Sequence, residues 1–232
     1  MDAVGWLVLF HVFTSHMTGN TTSLGIELFR GERQQAVRHA WPLVPFLLGL
    51  VFSATATAAA RRKGLHSSFS IALFTEFILL ALFIRLALQH SDAGFFLMAA
   101  LPAAAMGIQT VTITRVSGLR VYTTYVTGTL SKWAEAMVQY AFWFYDRTRG
   151  RFRERFWKIV RVTPRQKYAR HAALTGVLWI TYLGGALCGA VLQSRYGALA
   201  LMVSLAILGV AIAVDLVAPV AAADEPGSFD DL

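Results

Sequence analysis

The chain has 232 residues, of which 56% are hydrophobic, and its mean hydropathy is +0.54. A soluble domain is rarely that apolar, so the composition predicts an integral membrane protein. The net charge is +8 at pH 7. In a soluble protein this charge would indicate nucleic-acid binding, but here the Lys and Arg residues lie mostly in short loops, where they set membrane topology. Nucleic acid is therefore disfavoured as a partner, and the lipid bilayer is expected.

The first apolar segment, Ala3–Phe13, is short. As a helix it would be about 16 Å long, whereas the hydrocarbon core of a bilayer is about 30 Å thick. Two explanations are open: Met1 is an internal start within a longer gene, or the first membrane helix is shortened. We expect the former.

A polar run, "SHMTGNTTSLG" at residues 15–25, follows this segment, and a similar run, "TYVTGTLSKW", occurs at residues 124–133. When the two Thr-Gly pairs are aligned, Asp2 and Gln109 fall at similar distances upstream, and two apolar spans follow each pair. This order and spacing predict an internal repeat, although the sequence identity between its halves is low. The predicted parts are two repeats and an acidic tail expected to be disordered: residues 1–90, 91–218 and 219–232.

A membrane-spanning helix needs about 20 apolar residues. Five stretches meet this requirement: Trp41–Ala60, Phe69–Leu88, Gly94–Ile113, Ala172–Gln193 and Gly197–Ala218. Together with the first, shorter segment they predict an all-α membrane protein of about six helices.

The run "DAVGWLVLFHVFTSHMTGNTTSLG" resembles the N-terminal signature of the YoaK-type bacterial membrane proteins, a family named for a domain of unknown function. The run "AMGIQTVTITRVSGLRVYTTYVTGTLSKW" resembles the second signature of that family. The resemblance implies a multi-pass protein of the bacterial inner membrane with six helices, and it supplies no activity. This chain departs from the family pattern in lacking the first part of helix one and in having a long basic loop.

Two topologies compete, and the Lys and Arg residues of the loops distinguish them. If each Thr-Gly segment is re-entrant, each repeat crosses three times and the repeats are inverted; 15 basic residues then face the cytoplasm and 4 face outward. If those segments cross fully, the numbers are 13 and 6. The positive-inside rule favours the first topology, with both termini cytoplasmic. Each inverted repeat would contain an extended segment followed by a re-entrant half-helix.

The residues before each Thr-Gly pair tolerate extended structure, and those after it suit a helix start. Thr18 and Thr127 are expected to act as N-caps, and the following glycines allow close approach of a backbone or ligand. Two facing helix N-termini would bind an anion or small polar solute. The alternative is that both motifs are caps and turns at the membrane surface. The predicted binding residues are Asp2, Thr18, Gly19, Asn20, Gln109, Thr127, Gly128 and Thr129.

Glu76 lies within the span Phe69–Leu88, where a carboxylate is costly unless it is paired, protonated or hydrated. It is either a coupling group or a carboxyl that hydrogen-bonds a neighbouring helix, and its lack of a counterpart in the second repeat favours the latter. For Asp2 the alternative is a solvated terminal residue. We find no metal-ligand set, cofactor motif or nucleophile–base pair, so no metal, no cofactor and no enzymatic activity are expected.

The loop 146–171 is rich in Arg and Lys and has apolar residues at helical spacing, which predicts an interfacial helix. Its cations would contact anionic lipid headgroups. Gly185 and Gly189 form a small-residue face that indicates close helix packing, or a seam in a homodimer. The lipid contacts are assigned to Arg151, Arg153 and Arg155.

These features favour a small secondary transporter or channel for an anion or small polar solute, with its site at the two Thr-Gly helix starts. The alternative is a non-transporting scaffold or lipid-binding protein that acts through the basic loop. Transport predicts polar residues between the membrane helices, whereas a scaffold predicts polarity confined to the loop.

Overall fold

The computed structural model describes residues 2–9, 11–64, 67, 69–89, 94–112, 115–116, 119–120, 126–149 and 152–217. This part of the chain is almost entirely helical. Its helices are α1 (Asp2–Val8), α2 (Met17–Arg30), α3 (Arg33–Ala40), α4 (Leu43–Arg62), α5 (Ser70–Leu88), α6 (Phe95–Thr112), α7 (Val126–Thr148), α8 (Phe152–Val162), α9 (Lys167–Tyr196) and α10 (Leu201–Val217). Two short antiparallel strands follow α6: β1 (Arg115–Val116) and β2 (Leu119–Arg120).

The expectation of an all-α membrane protein is confirmed, because several helices are long and apolar enough to cross a bilayer. Among the described residues, four stretches qualify: Arg33–Arg62, Ser70–Leu88, Phe95–Thr112 and Lys167–Val217. The last of these contains both α9 and α10, which are separated by a 3-10 turn over Gly197–Ala200. Most described residues of the five long apolar stretches therefore lie on helices.

The chain forms two compact units, one of Met1–Arg120 with Ala186–Leu232 and one of Val121–Gly185. These units do not coincide with the predicted repeats, residues 1–90 and 91–218. A repeat is a relation between sequences and a unit is a relation between contacts, so the repeat boundaries stay a prediction. The acidic tail 219–232 lies outside the described residues.

In the first unit, α4 and α6 run parallel and pack very closely. At one end of the pair, Trp41 Nε1 donates to the carbonyl oxygen of Phe96 over 2.7 Å. Further along both helices, Gly49 lies against the backbone of Ala104, where a Cβ atom would overlap the carbonyl oxygen. Because both contacts advance in the same direction along α4 and α6, the two helices are parallel.

A second glycine, Gly107 of α6, faces the carbonyl oxygen of Phe46 on α4 in the same way. Small residues at a helix crossing let the backbones approach and form Cα–H···O contacts. The α4 face of this crossing continues as a stripe of small residues, all buried: Gly49, Ser53, Thr57 and Ala60.

Helix α5 runs antiparallel to α4, α6 and α10 and packs against all three. Near its C-terminal end, Phe83 belongs to an apolar cluster with Leu101 of α6 and Leu201 of α10. Nearer its start, Leu80 belongs to a second cluster with Ala105 and Leu208. The central position of α5 explains why so many of its residues are buried.

The described helices of the first unit have two distinct ends. One holds the start of α4, the start of α6 and the residues around Leu201, and Val12 packs in the same apolar cluster. The chain thus leaves this end at Val12 and returns to it at Trp41, so α2 and α3 begin and end at one end of the helix group. Arg195, at the end of α9, lies at this end too, whereas Arg61 lies at the opposite one.

The first apolar segment does not form the helix expected over Ala3–Phe13. Helix α1 ends at Val8, and His11 takes a positive φ of 70° that interrupts the helix. The His11 ring packs edge-on against Trp6, with centroids 4.2 Å apart, and the His11 backbone N–H donates to the Trp6 carbonyl oxygen. This reversal begins the non-helical loop that carries the first Thr-Gly motif.

Candidate functional site

Helix α2 begins one residue before the first Thr-Gly pair. Thr18 is exposed and occupies the second helical position, so the expectation that it is the N-cap is wrong. His16 stands at the cap position and makes no capping hydrogen bond with its side chain. The physical reason is that the preceding loop is held by Asn20, two residues further on, which leaves Thr18 facing outward.

Asn20 is 1% exposed and is bonded to the backbone of Phe13 in both directions. The Phe13 N–H donates to Asn20 Oδ1 over 3.1 Å, and Asn20 Nδ2 donates to the Phe13 carbonyl over 2.8 Å. A side-chain amide suits this role because it offers one donor and one acceptor in a plane. In this structure Asn20 therefore fixes the loop before α2.

Gly19 is small for a reason that the structure makes plain. A Cβ atom at this position would lie 2.5 Å from His16 Nδ1 and 3.2 Å from Phe13 Cδ2. The rings of Phe13 and His16 pack edge-to-face, with centroids 4.9 Å apart, directly over the glycine. The close approach that was predicted at Gly19 is thus made by the loop's own side chains.

The second motif has the same position at the start of a helix. Helix α7 begins at Val126, and Thr127 is its second residue, so Thr127 is not an N-cap either. Thr127 is exposed, while Gly128 and Thr129 are half-buried. Residues 121–125, which precede this helix, lie outside the described residues. The two motifs belong to different compact units, and their convergence on one pocket stays a prediction.

The upstream polar residues can be placed only in part. The side chain of Asp2 lies outside the described residues, so its predicted pairing with Gln109 stays a prediction. Gln109 is half-buried near the end of α6, and its backbone carbonyl oxygen accepts from Thr112 Oγ1 over 2.9 Å.

The structure shows a group of buried polar side chains on α4 and α5. Glu76 is 1% exposed, Ser53 is fully buried and Thr57 is 6% exposed. Glu76 Oε2 and the two hydroxyl oxygens have no hydrogen-bond partner among the described residues. One expectation for Glu76 was a carboxyl that hydrogen-bonds a neighbouring helix. Within the described part of the chain, Oε2 of this carboxyl has no such partner.

The helix registers put these groups at one depth. Ser53 lies one turn beyond Gly49 on α4, and Glu76 lies one turn before Leu80 on the antiparallel α5. Gly49 and Leu80 both pack at the level of residues 104 and 105 on α6. Gln109 lies about one turn beyond this level on α6. Ser53, Glu76 and Gln109 are therefore each displaced by about 6 Å in the same direction from the level of residues 104 and 105, which puts a polar residue at one depth on each of the three helices.

Sequence reasoning singled out Glu76 and Gln109 but missed Ser53 and Thr57. The available signal was their spacing of four residues in "SATAT", which puts both hydroxyls on one face of a helix. Hydroxyls are common in membrane helices, and only the close packing against α6 distinguishes these two from lipid-facing ones.

A second buried carboxylate, Asp215 of α10, was also missed. It accepts hydrogen bonds from the hydroxyls of Ser67 and Ser70 at the start of α5. Ser67 Oγ in turn accepts from the N–H of Ser70 over 3.1 Å. Both hydroxyls donate to Oδ2, so Asp215 joins the end of α10 to the start of α5 and has a structural role.

The basic loop contains the amphipathic helix that was expected. In α8, Ile159 is buried and the Phe156 ring contacts that of Phe144 on α7, with centroids 5.9 Å apart. Trp157 is 70% exposed beside them. The side chains assigned to lipid contact, those of Arg151, Arg153 and Arg155, lie outside the described residues.

Within the described residues, no group of three His, Cys, Asp or Glu side chains could hold a metal ion. At the α4–α5–α6 level, the Glu76 carboxyl and the hydroxyls of Ser53 and Thr57 offer hydrogen bonding and oxygen coordination.

Together, the long apolar helices and the buried polar groups between them define a multi-pass, all-α membrane protein. The chain belongs to the family described as "Protein of unknown function (DUF1275)", whose model matches residues 1–214. It is similar to the UPF0700 transmembrane protein YoaK of Bacillus subtilis (strain 168), with 27% identity over 135 residues. That match covers 58% of this chain and 60% of the relative, so less than two thirds of the relative's length is spanned. The predicted resemblance is confirmed, and no solved structure matches.

Proposed function

We propose that this protein is a small secondary transporter or channel for a small polar solute. The observation that carries the proposal is the buried set formed by Glu76, Ser53 and Thr57. Glu76 Oε2 and the two hydroxyl oxygens lack hydrogen-bond partners among the described residues. In hydrocarbon an unsatisfied polar group costs several kcal/mol. Polar residues retained inside a membrane helix group commonly mark a solute path.

The proposed crossing order is the one with three spans per repeat. It is supported by the positions of Arg38 and Arg195, which lie at one end of the helix group, opposite Arg61. The four-crossing alternative requires Arg38 and Arg195 on opposite sides. With Arg61 cytoplasmic by the positive-inside rule, α2 and α3 form a re-entrant or interfacial hairpin on the outer side. The exposed apolar side chains of α2, among them Leu28 and Phe29, support contact with lipid.

The two Thr-Gly helix starts are proposed to gate or extend this path. Asn20 and the ring pair over Gly19 give the first of them a fixed, non-helical entry. Interrupted helices of this kind are typical of transporters that bind solute near the bilayer midplane.

The test is a binding screen followed by transport. Purified protein is heated with inorganic anions, carboxylates, nucleobases and monovalent cations, and each solute that raises the melting temperature is then offered to proteoliposomes. The expected result is uptake of at least one such solute, which the double variant Ser53→Ala, Thr57→Val reduces at unchanged insertion. Stabilising solutes that never enter the vesicles would refute transport.

A second candidate is a non-transporting protein that acts through the basic loop. It is favoured by the exposed Trp157 on an amphipathic helix within a cationic segment. For this candidate, vesicle binding depends on the loop while the Ser53 and Thr57 variants have no effect on any activity.

A further inference from the structure

We infer that Glu76, Ser53 and Thr57 form an oxygen-only site for a small monovalent cation, either H⁺ or Na⁺, between α4, α5 and α6. This inference rests on the proposed function, because it names the solute or coupling ion that the same buried groups would take. It replaces the anion of the sequence-based expectation with a cation at this depth.

The donor set is the first reason. It consists of one carboxylate and two hydroxyls, and the Gln109 side chain lies at the same level on α6. Hard cations are bound by carboxylate, hydroxyl and carbonyl oxygens. A proton would be held by the carboxylate itself and shared with the neighbouring hydroxyls.

The charges around the group are the second reason. Helix α6 carries no charged residue, and the single charge of α10 is the negative Asp215. On α4 the first basic residue after the site is Arg61, about 12 Å along the helix from Ser53 and about 6 Å from Thr57, and Arg85 is about 13 Å from Glu76 along α5. An anion would therefore find a carboxylate and no counter-charge at this level.

The burial of Glu76 is the third reason. A charged carboxylate without partners in an apolar environment is strongly disfavoured, and a bound H⁺ or Na⁺ removes the net charge. At the α4–α6 crossing, Gly49 and Gly107 have no Cβ atom, and this brings the two backbones together about one turn away. Ordered backbones on both sides hold the hydroxyl-bearing face of α4 in a defined position.

The experiment uses the full chain in detergent and the hydrophobic reagent dicyclohexylcarbodiimide, which couples to protonated carboxyls within membranes. Labelling is located by mass spectrometry after proteolysis. We expect labelling at Glu76 that falls as pH rises, or that falls on adding NaCl at fixed pH when choline chloride has no effect. The first pattern identifies H⁺ as the ligand and the second identifies Na⁺.

Variants separate a built site from a lone carboxyl. The double variant Ser53→Ala, Thr57→Val should move the labelling midpoint to higher pH, or raise the Na⁺ concentration for half-protection about tenfold, the effect of losing a hydrogen bond to a charged group. Thr57→Ser keeps the hydroxyl and should behave like the wild type. If the double variant does not fold, Ser53→Ala alone supplies the comparison.

Labelling that is insensitive to both pH and Na⁺, or identical in the wild type and the hydroxyl variant, overturns the cation site. This readout is independent of flux. If the protein transports a neutral solute and neither pH nor Na⁺ changes the labelling of Glu76, the cation site is refuted and the proposed transport function stands. If pH or Na⁺ changes the labelling but no solute is transported, the cation site stands and the transport function is refuted.

Discussion

Replacing Asn20 with Ala should destabilise the protein strongly, because this side chain bonds to both backbone groups of Phe13 in the loop before α2. The change removes two hydrogen bonds, of 3.1 and 2.8 Å, and leaves the Phe13 N–H and carbonyl without these partners. An orphaned polar group costs about 1–3 kcal/mol, so the two together should cost about 2–6 kcal/mol, with water entry favouring the lower part of that range.

Thermal unfolding of the purified protein in detergent measures this loss. Thr22→Ala is the matched control, since the Thr22 hydroxyl donates only to the Thr18 carbonyl within the same helix and is exposed. The control should change stability by no more than about 0.5 kcal/mol. Asn20→Asp should be at least as damaging as Asn20→Ala, because it keeps the acceptor but turns a second oxygen toward the Phe13 carbonyl. If the Asn20→Ala protein has the same melting temperature as the Thr22→Ala control, this account of the motif is refuted.

Three further predictions concern topology, lipid binding and the α5–α10 contact. In a Cys188→Ser background, cysteines at Lys63 and Arg195 should react with an impermeant maleimide from opposite sides of the membrane; reaction from the same side would contradict the three-crossing order. Ser67→Ala should lower stability by about 1–2 kcal/mol, since it removes a helix-start acceptor and a donor to Asp215; unchanged melting would show that Ser70 alone holds the contact. Neutralising three loop arginines should weaken binding to anionic vesicles and its salt dependence, and unchanged partitioning would mean that these cations serve topology or another partner. Those substitutions are Arg151→Gln, Arg153→Gln and Arg155→Gln.

The membrane helices could be predicted because hydropathy over a long window is decided by the bilayer rather than by packing. The end of α1 could not, since it depends on His11 taking a positive φ and packing on Trp6. The N-cap assignments failed for a related reason: Asn20 bonds to Phe13 across the loop, and only the folded loop shows which polar side chain satisfies the backbone.

Of the three buried polar residues at the candidate site, Glu76, Ser53 and Thr57, only Glu76 could be predicted from the sequence. Glu76 stands out in any apolar run because its charge is costly there. Ser53 and Thr57 do not, since isolated hydroxyls in a membrane helix can bond to their own backbone and face lipid. Their burial follows from the crossing at Gly49, where the approach of α6 decides which side of α4 is interior.

The most direct test of the central claim is the electrical current of proteoliposomes on a solid-supported membrane when H⁺ or Na⁺ is applied with each solute found in the binding screen. We predict a transient current for the wild type and for Glu135→Gln, a control at an exposed carboxyl of α7, and no current for Glu76→Gln at equal incorporation. A Glu76→Gln protein that carries the same current as the wild type would contradict the account, because the buried carboxyl would then have no part in moving the ion.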